Sequence, residues 1–412
     1  SFRINIYLTL KHFFSSFFIL EKKIKGKIFN KLKNMTGKKE IILTSQLRTG
    51  FILTLQYLKK KYPNKNEIIL SSYNLAEMVN ICRNLGLKII FPRLDENLFF
   101  EEKSLRKSMN SRTLAVVTTN IFNTFNQLKK IKRICNKKKV QLIEDNAIYF
   151  GNYKMIKKRK IFSGSFGDFS LNSFNIMKNI SAMYGGSVAT NDKNFIDFAN
   201  DQIKVYKNFP FLIFAKQCLI FLILKFIKIK IIYDILFFNI IKNANDKNNK
   251  YLLSLVYPSI KFKKKKFPNY YFTKLHTLAK KMIFLQFSDN NNFNKNHLMK
   301  KNNNSFYYNL LKRKNIKEVK LLKYEDANFQ NYNDFPIIVE NKKFLVKYLF
   351  SQGIETKTIQ YVDCQNIFKY KKENLREFEN KILCLPNHRL ISKKYIEFII
   401  DSLNNFYKGK YV

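Results

Sequence analysis

Residues 139–190 constrain the fold more than any other stretch of this chain. The stretch opens with KVQLIEDNA and closes with GSFGDFSLNSFNIMKNISAMYGGSVATND. Val140–Ile143 reads as a buried strand ending in two carboxylates, Glu144 and Asp145. Apolar runs bounded by polar residues mark strands of a parallel sheet. In open α/β sheets, ligand-binding groups sit at the carboxyl ends of such strands. A short apolar segment follows, then Ser173 and a lysine, Lys178, flanked by Ile176, Met177 and Ile180. Gly185-Gly186 leads into another strand-like run, Ser187–Thr190.

Most lysines of this lysine-rich chain fall in polar runs such as Lys137–Lys139 and Lys263–Lys266. Those runs read as solvated surface. Lys178 stands instead between apolar side chains. Desolvation lowers an amine's pKa and makes it nucleophilic. Such a lysine forms Schiff bases with carbonyl compounds, pyridoxal 5'-phosphate (PLP) among them. PLP chemistry also needs an acid that keeps the pyridine nitrogen protonated, and the strand-end Asp145 suits that task. A snorkelling surface lysine beside an ordinary strand-end Asp is the alternative that local sequence leaves open.

The ordering of these residues resembles the DegT-type sugar aminotransferases, PLP enzymes of the aspartate-aminotransferase fold. The matching positions are Glu144-Asp145, Ala147, Gly151, Gly164-Ser165, Gly167-Asp168, Ser173-Phe174, Lys178-Asn179, Gly185-Gly186 and Thr190-Asn191-Asp192. The resemblance implies PLP fold type I: a large doubly wound α/β domain carrying the cofactor, plus a smaller C-terminal α+β domain. It implies that Lys178 holds PLP covalently and moves protons, and that Asp145 keeps the ring nitrogen charged.

The chain has 412 residues, enough for about two domains. Its formal net charge of +47 would ordinarily suggest nucleic acid or an anionic membrane. Lys, Asn, Ile, Phe and Tyr are enriched together while Trp is absent, which indicates a bias acting on the whole chain. No nucleic-acid motif accompanies the charge, so a nucleic-acid partner is not expected. Anionic nucleotide sugars would still be drawn to a basic cleft. Cys82, Cys135, Cys218, Cys364 and Cys384 are scattered, no CxxC occurs and the four His are isolated. No metal site is expected, and a reducing, cytoplasmic compartment fits.

Four segments are expected. Residues 1–40 form an N-terminal helix and a basic lead-in; 41–205 form the large PLP-binding domain; 206–265 form an apolar helical insertion; 266–412 form the small domain. The first residue is Ser, which suggests an incomplete start. Ile4–Leu20 reads as a helix, with a signal peptide or membrane anchor as the competing reading. Ile41–Thr44 reads as a strand, followed by Ser45–Gly50 and the helical pattern Phe51–Leu58. A strand, a polar turn and a helix N-terminus make a phosphate site, because free N–H groups converge there. The resemblance places Arg48 and Thr49 at that phosphate, together with Ser173.

Further strands are expected at Glu67–Leu70, Lys88–Phe91 and Thr113–Thr118, with helices at Ala76–Leu85 and 126–138. The family often has an aromatic residue over the PLP ring where Leu75 stands; Tyr73 is the substitute, with core packing as its competing role. The family's Gln after the Asp is Ile148 here. Pro268–Leu275 resembles the segment whose Asn reaches the PLP phosphate of the partner subunit, which selects Asn269. The family's Arg in that segment is Tyr271.

Phe209–Ile241 is dense in Phe, Ile and Leu, with Lys216, Lys225, Lys228 and Lys230 interspersed. Two readings stand open: core or dimer-interface helices, or a helical hairpin lying on a membrane surface at the inner face. Residues 288–304 read as an Asn-rich loop or ragged helix start. Beyond them Phe335–Val339 and Ile382–Leu385 read as strands, and Lys342–Ser351 and Lys393–Tyr407 as helices.

The resemblance thus implies a homodimer with a shared active site. Its reaction would transfer an amino group from an amino acid such as glutamate to a keto-sugar nucleotide, for surface-polysaccharide or amino-sugar biosynthesis. Dehydrating relatives tend to carry His in place of the lysine, so Lys178 argues against that chemistry. A non-catalytic family member acting as a basic membrane-surface binding protein is the alternative.

Overall fold

A computed structural model describes residues 6–20, 24–227, 229, 233, 238–246, 267–358, 361–370 and 376–409. The opening helices are α1 (Leu10–Phe18) and α2 (Ile24–Thr36). The central part runs β1 (Glu40–Thr44), α3 (Leu47–Lys61), β2 (Glu67–Leu70), β3 (Tyr73–Asn74), α4 (Ala76–Asn84), β4 (Lys88–Ile90), α5 (Glu102–Ser108), β5 (Thr113–Thr119), α6 (Phe125–Lys137) and β6 (Gln141–Asp145). It continues with a hairpin, β7 (Tyr153–Ile156) and β8 (Arg159–Phe162), then β9 (Phe169–Ser173), β10 (Gly186–Thr190) and α7 (Lys193–Lys204).

Seven strands form one sheet in the order β1-β10-β9-β6-β5-β2-β4. Five neighbours from β4 to β9 are parallel, whereas β10 pairs antiparallel with both β9 and β1. The sheet is therefore mixed, with β10 alone reversed among its seven strands. Successive residues of the parallel strands point to opposite faces. Ile68, Leu70, Val117, Ile143 and Leu171 pack with α3, α4 and α7 on one face. Ile69, Val116 and Leu142 pack with α5 and α6 on the other. Covering both faces explains why these strands read as unbroken apolar runs rather than alternating ones.

The second half adds α8 (Phe211–Ile227), α9 (Phe238–Asp246), α10 (Thr277–Ser288), α11 (Asn290–Lys314), β11 (Val319–Leu321), β12 (Asp334–Val339), α12 (Lys342–Ser351), β13 (Val362–Asp363), α13 (Cys364–Ile367), α14 (Arg376–Lys381), β14 (Ile382–Pro386) and α15 (Lys393–Tyr407). Strands β11, β12 and β14 form an antiparallel sheet whose core includes residues of α11, α12 and α15. Strand β13 pairs with β3, tying the late chain to the early one beside α4.

Two segments differ from the sequence expectation, and a third has a side that matches its core-helix reading. The basic lead-in is a helix, α2, because Ile24, Ile28, Leu32 and Met35 recur on one face and bury there. The Asn-rich stretch is the 25-residue helix α11, capped by the Asp289 carboxylate accepting from Asn292 N–H. Its first buried positions are Asn296, Lys300, Asn303 and Asn304, so no apolar period announces it. The greasy segment has two faces: Phe214, Phe221 and Ile227 join a core with α1, α2 and α10, while Leu212, Leu219 and Phe226 are exposed. Lys228, Lys230 and residues 247–265 lie outside the described residues. Among the described residues, no helix is long and apolar enough to cross a membrane.

Candidate active site

The two carboxylates that end β6 face opposite ways. Glu144 shares the α6 side with Leu142 and is wholly engaged by the following turn. It accepts from Gly164 N–H at 3.0 Å, from Asn120 Nδ2 at 3.0 Å and from Gly167 N–H. Asp168 accepts from Leu142 N–H at 2.8 Å and pairs with Lys132. Much of the glycine-rich motif is therefore architecture. Asp145 shares the α3 side with Ile143, and that side carries a cavity.

The cavity, about 130 Å³, is lined by Asp145, Ser173 and Lys178 together with Gln46 and Arg48 at the start of α3. Leu75, Met78, Ala147, Asn175, Tyr184 and Gly185 complete it. Glycine at 186 is what lets β10 abut α3. A Cβ there would lie 2.4 Å from Leu47 N and 2.5 Å from the Gln46 carbonyl carbon. Gln46 precedes α3 in an extended conformation and gives no side-chain cap. The first-turn N–H groups of α3 thus lack an intrahelical partner, and Leu47 and Arg48 line the cavity.

Lys178 sits in the turn after β9, its N–H donating to Asn175 O at 3.0 Å and its carbonyl accepting from Ser181 Oγ at 2.8 Å. Part of its surface opens onto the cavity, yet burial pushes its amine down to about 8. Asp145 opposes that shift, while Lys357 and Arg48 reinforce it. Burial pushes the Asp145 carboxyl up; the Ala147 N–H at 3.1 Å, Lys178 and Arg48 act against the rise. Among the described residues, no Lys or Arg forms an ion pair with Asp145. Asp145 is thus a buried acid facing open space, and a cationic ring nitrogen would relieve it. Together with a depressed amine and a helix N-terminus, this donor set fits PLP.

Four of the residues expected from sequence meet here: Arg48, Asp145, Ser173 and Lys178. The others stand off the cavity wall. The Thr49 hydroxyl donates to Tyr271 O at 2.7 Å. Tyr73 is buried in the core, its ring 5.8 Å from and edge-on to Tyr361, whose charge environment includes Asp145. Leu75, not Tyr73, lines the cavity. Asn269 opens a short 3₁₀ turn and is exposed. That turn lies over the start of α3: Tyr271 is buried, Arg48 stands 5.8 Å from its ring and Glu77 accepts from its hydroxyl.

Gln46, Asn175 and Tyr184 escaped sequence reasoning, although each lies within two residues of Arg48 or inside the 139–190 stretch. Lys357, which pairs with Asp334 at 3.2 Å, carries no local signal at all. Tyr184 stacks obliquely on Phe209 at 4.7 Å, so the apolar segment buttresses the cavity.

The model of the DegT/DnrJ/EryC1/StrS aminotransferase family matches residues 16–210. A Helicobacter pylori UDP-4-amino-4,6-dideoxy-N-acetyl-beta-L-altrosamine transaminase is 22% identical over 172 residues, 42% of this chain and 44% of that protein. The chain thus matches less than half the length of this curated relative. The structure of Helicobacter pylori PseC, an aminotransferase of pseudaminic acid biosynthesis, superposes with a TM-score of 0.70 at 15% identity, covering 97% of this chain and 96% of that one. E. coli GDP-4-keto-6-deoxy-D-mannose-3-dehydratase with bound hydrated PLP gives 0.68 at 17% identity, covering 98% and 100%. At such identities the superpositions establish the fold, and over residues 16–210 the sequence is similar to the DegT/DnrJ/EryC1/StrS aminotransferase family.

Proposed function

We propose that the protein is a PLP-dependent aminotransferase that moves an amino group from an amino acid such as glutamate to a keto-sugar nucleotide. The observation that carries this reading is one cavity holding both a lysine of depressed pKa and a buried acid. Bound PLP supplies a carbonyl for the amino group and an electron-accepting ring. Lys178 holds the group covalently and, as a free amine, takes and returns a proton at its Nζ. Asp145 holds a proton on the ring nitrogen. Ser173, Arg48 and the free N–H groups of the first turn of α3 hold the phosphate; Thr49, its hydroxyl given to Tyr271 O, contributes through its backbone N–H alone. Asn269, exposed on its turn, serves the partner's site in a homodimer. Tyr73 supports the site from behind Tyr361. Arg48 on the cavity wall offers a positive charge that favours an anionic nucleotide sugar. The same reading places the protein in the cytoplasm.

An absorbance spectrum of the purified protein with PLP tests the assignment. A visible band that borohydride bleaches, and that Lys178→Ala lacks, supports it. A protein that takes up no PLP, or takes it up equally without Lys178, ends it.

A further inference from the structure

Among the described residues, most of the exposed large apolar side chains belong to α1, α8 and their immediate flanks. Besides Phe211 at its first position, the exposed positions on α8 are Leu212, Lys216, Leu219, Ile223 and Phe226. Steps of four and three place them on one continuous helical face. The opposite face, through Phe214 and Phe221, is already in the core. A surface helix of a globular protein normally turns charged and polar residues outward. Here the outward stripe is four apolar residues and one lysine.

Helix α1 packs against the core side of α8 and carries exposed phenylalanines of its own. Phe13 lies 5.0 Å from Phe221, and the exposed Phe14 and Phe17 rings lie 5.2 and 5.5 Å from Phe13. Lys225 fixes the junction by donating to Ile6 O at 3.1 Å. His12, beneath the patch, binds Asp289 at 3.1 Å and keeps α1 against α10 and α11.

Charge selects the occupant. Neither α1 nor α8 contains an acidic residue. Their charged residues are Lys11, Lys216 and Lys225, and the adjacent α2 adds only lysines. Two copies meeting on this face would oppose like charges, each within a chain of formal charge +47. An anionic lipid surface meets both demands at once: an apolar layer for the phenylalanines and leucines, and phosphates for the lysine ammoniums. We propose that α1 and α8 together form a docking face for an anionic membrane surface, with the helices lying in its plane. The proposal is independent of the transaminase reading.

Sedimentation of the full chain with vesicles tests it. Wild-type protein is expected to sediment with phosphatidylglycerol–phosphatidylcholine vesicles and to stay in solution with phosphatidylcholine alone. The double substitutions Leu219→Glu/Ile223→Glu and Phe14→Glu/Phe17→Glu alter exposed positions, so circular dichroism and PLP uptake should be unchanged. Each should weaken partitioning at least tenfold. Lys11→Glu/Lys216→Glu should weaken it and flatten its salt dependence. Wild-type protein that ignores anionic vesicles, or variants that bind as well as wild type, overturn the proposal. So does a glutamate variant that elutes as a smaller species than wild type, because the face would then join copies of the chain.

Discussion

Lys300 Nζ donates to Asn179 Oδ1 at 2.9 Å, one residue beyond Lys178. It also donates to Asn333 Oδ1 at 2.7 Å. The amide nitrogen of Asn179 in turn donates to Phe150 O at 2.7 Å. The turn carrying Lys178 is thereby fastened to β12's entry loop and to α11. Lys300 is buried with two neutral partners, and burial pushes its amine down to about 7.

The sign of the resulting pH dependence follows from proton binding. The unfolded chain keeps the Lys300 proton up to its ordinary value of 10.5, while the folded chain releases it near 7. Between those values the unfolded state binds more protons, so stability rises with pH, by at most about 1.4 kcal/mol per unit from this one group. Lys178 adds to the same trend above about 8. Denaturant unfolding of wild type and Lys300→Met at pH 6 to 10 separates the two contributions. The difference between the curves should grow in favour of wild type across pH 7–10. Parallel curves would mean that Lys300 stays charged.

A lysine pushed down to about 8 should be reactive near neutrality. The free amine is the nucleophile, so PLP uptake by cofactor-free protein should quicken about tenfold per pH unit below 8 and level off above it. Stopped-flow absorbance reads the rate. A profile rising steadily to pH 10 would place Lys178 in an ordinary solvated setting. Lys178→Ala should show no such visible phase and no amino transfer, with its far-ultraviolet spectrum preserved.

Asp145→Asn keeps shape but removes the charge that a ring nitrogen would face. PLP uptake should survive, and turnover should drop by several orders of magnitude. Because burial already works against the Asp145 charge, the fold should be no less stable. A turnover equal to wild type would reduce Asp145 to a strand terminus.

Shared sites can be tested by complementation. Asn269→Ala and Lys178→Ala proteins, each weak or inactive alone, should regain activity after subunit exchange, since a mixed dimer contains one site with neither lesion. Heterodimers that form without regaining activity would show that Asn269 serves its own chain.

Much of this was readable in the sequence, for identifiable reasons. Parallel strands buried on both faces leave apolar runs, and β2, β5 and β6 each stood out that way. Asp145, Ser173 and Lys178 share one local stretch, so a single motif delivered all three. Helix α2 was legible but outweighed by its lysines, although Ile24, Ile28, Leu32 and Met35 keep helical spacing. Tyr73 and Leu75 differ by two residues, and nothing local distinguishes which faces the cavity. Lys357 and Lys300 reach the site from more than a hundred residues away, through packing of β12's surroundings and α11 against the large sheet. No local pattern encodes such a return.

The buried stripe of α11 holds three asparagines, Asn296, Asn303 and Asn304, and Lys300 before its first apolar member, Tyr307. Asn304 donates to Asn331 and Tyr332 O, Asn387 donates to Asn304, and Asn303 donates to His388 O. Exposing polar surface lowers the heat capacity of unfolding, the reverse of what exposing hydrocarbon does. This seam should therefore contribute little to the curvature of stability with temperature, whereas the phenylalanine-rich core around α1 and α8 contributes strongly. Cooling weakens hydrocarbon burial but leaves hydrogen-bonded amides in place. In the cold, the end of the molecule that carries the greasy helices should loosen first, while α11 keeps its hold on the turn of Lys178.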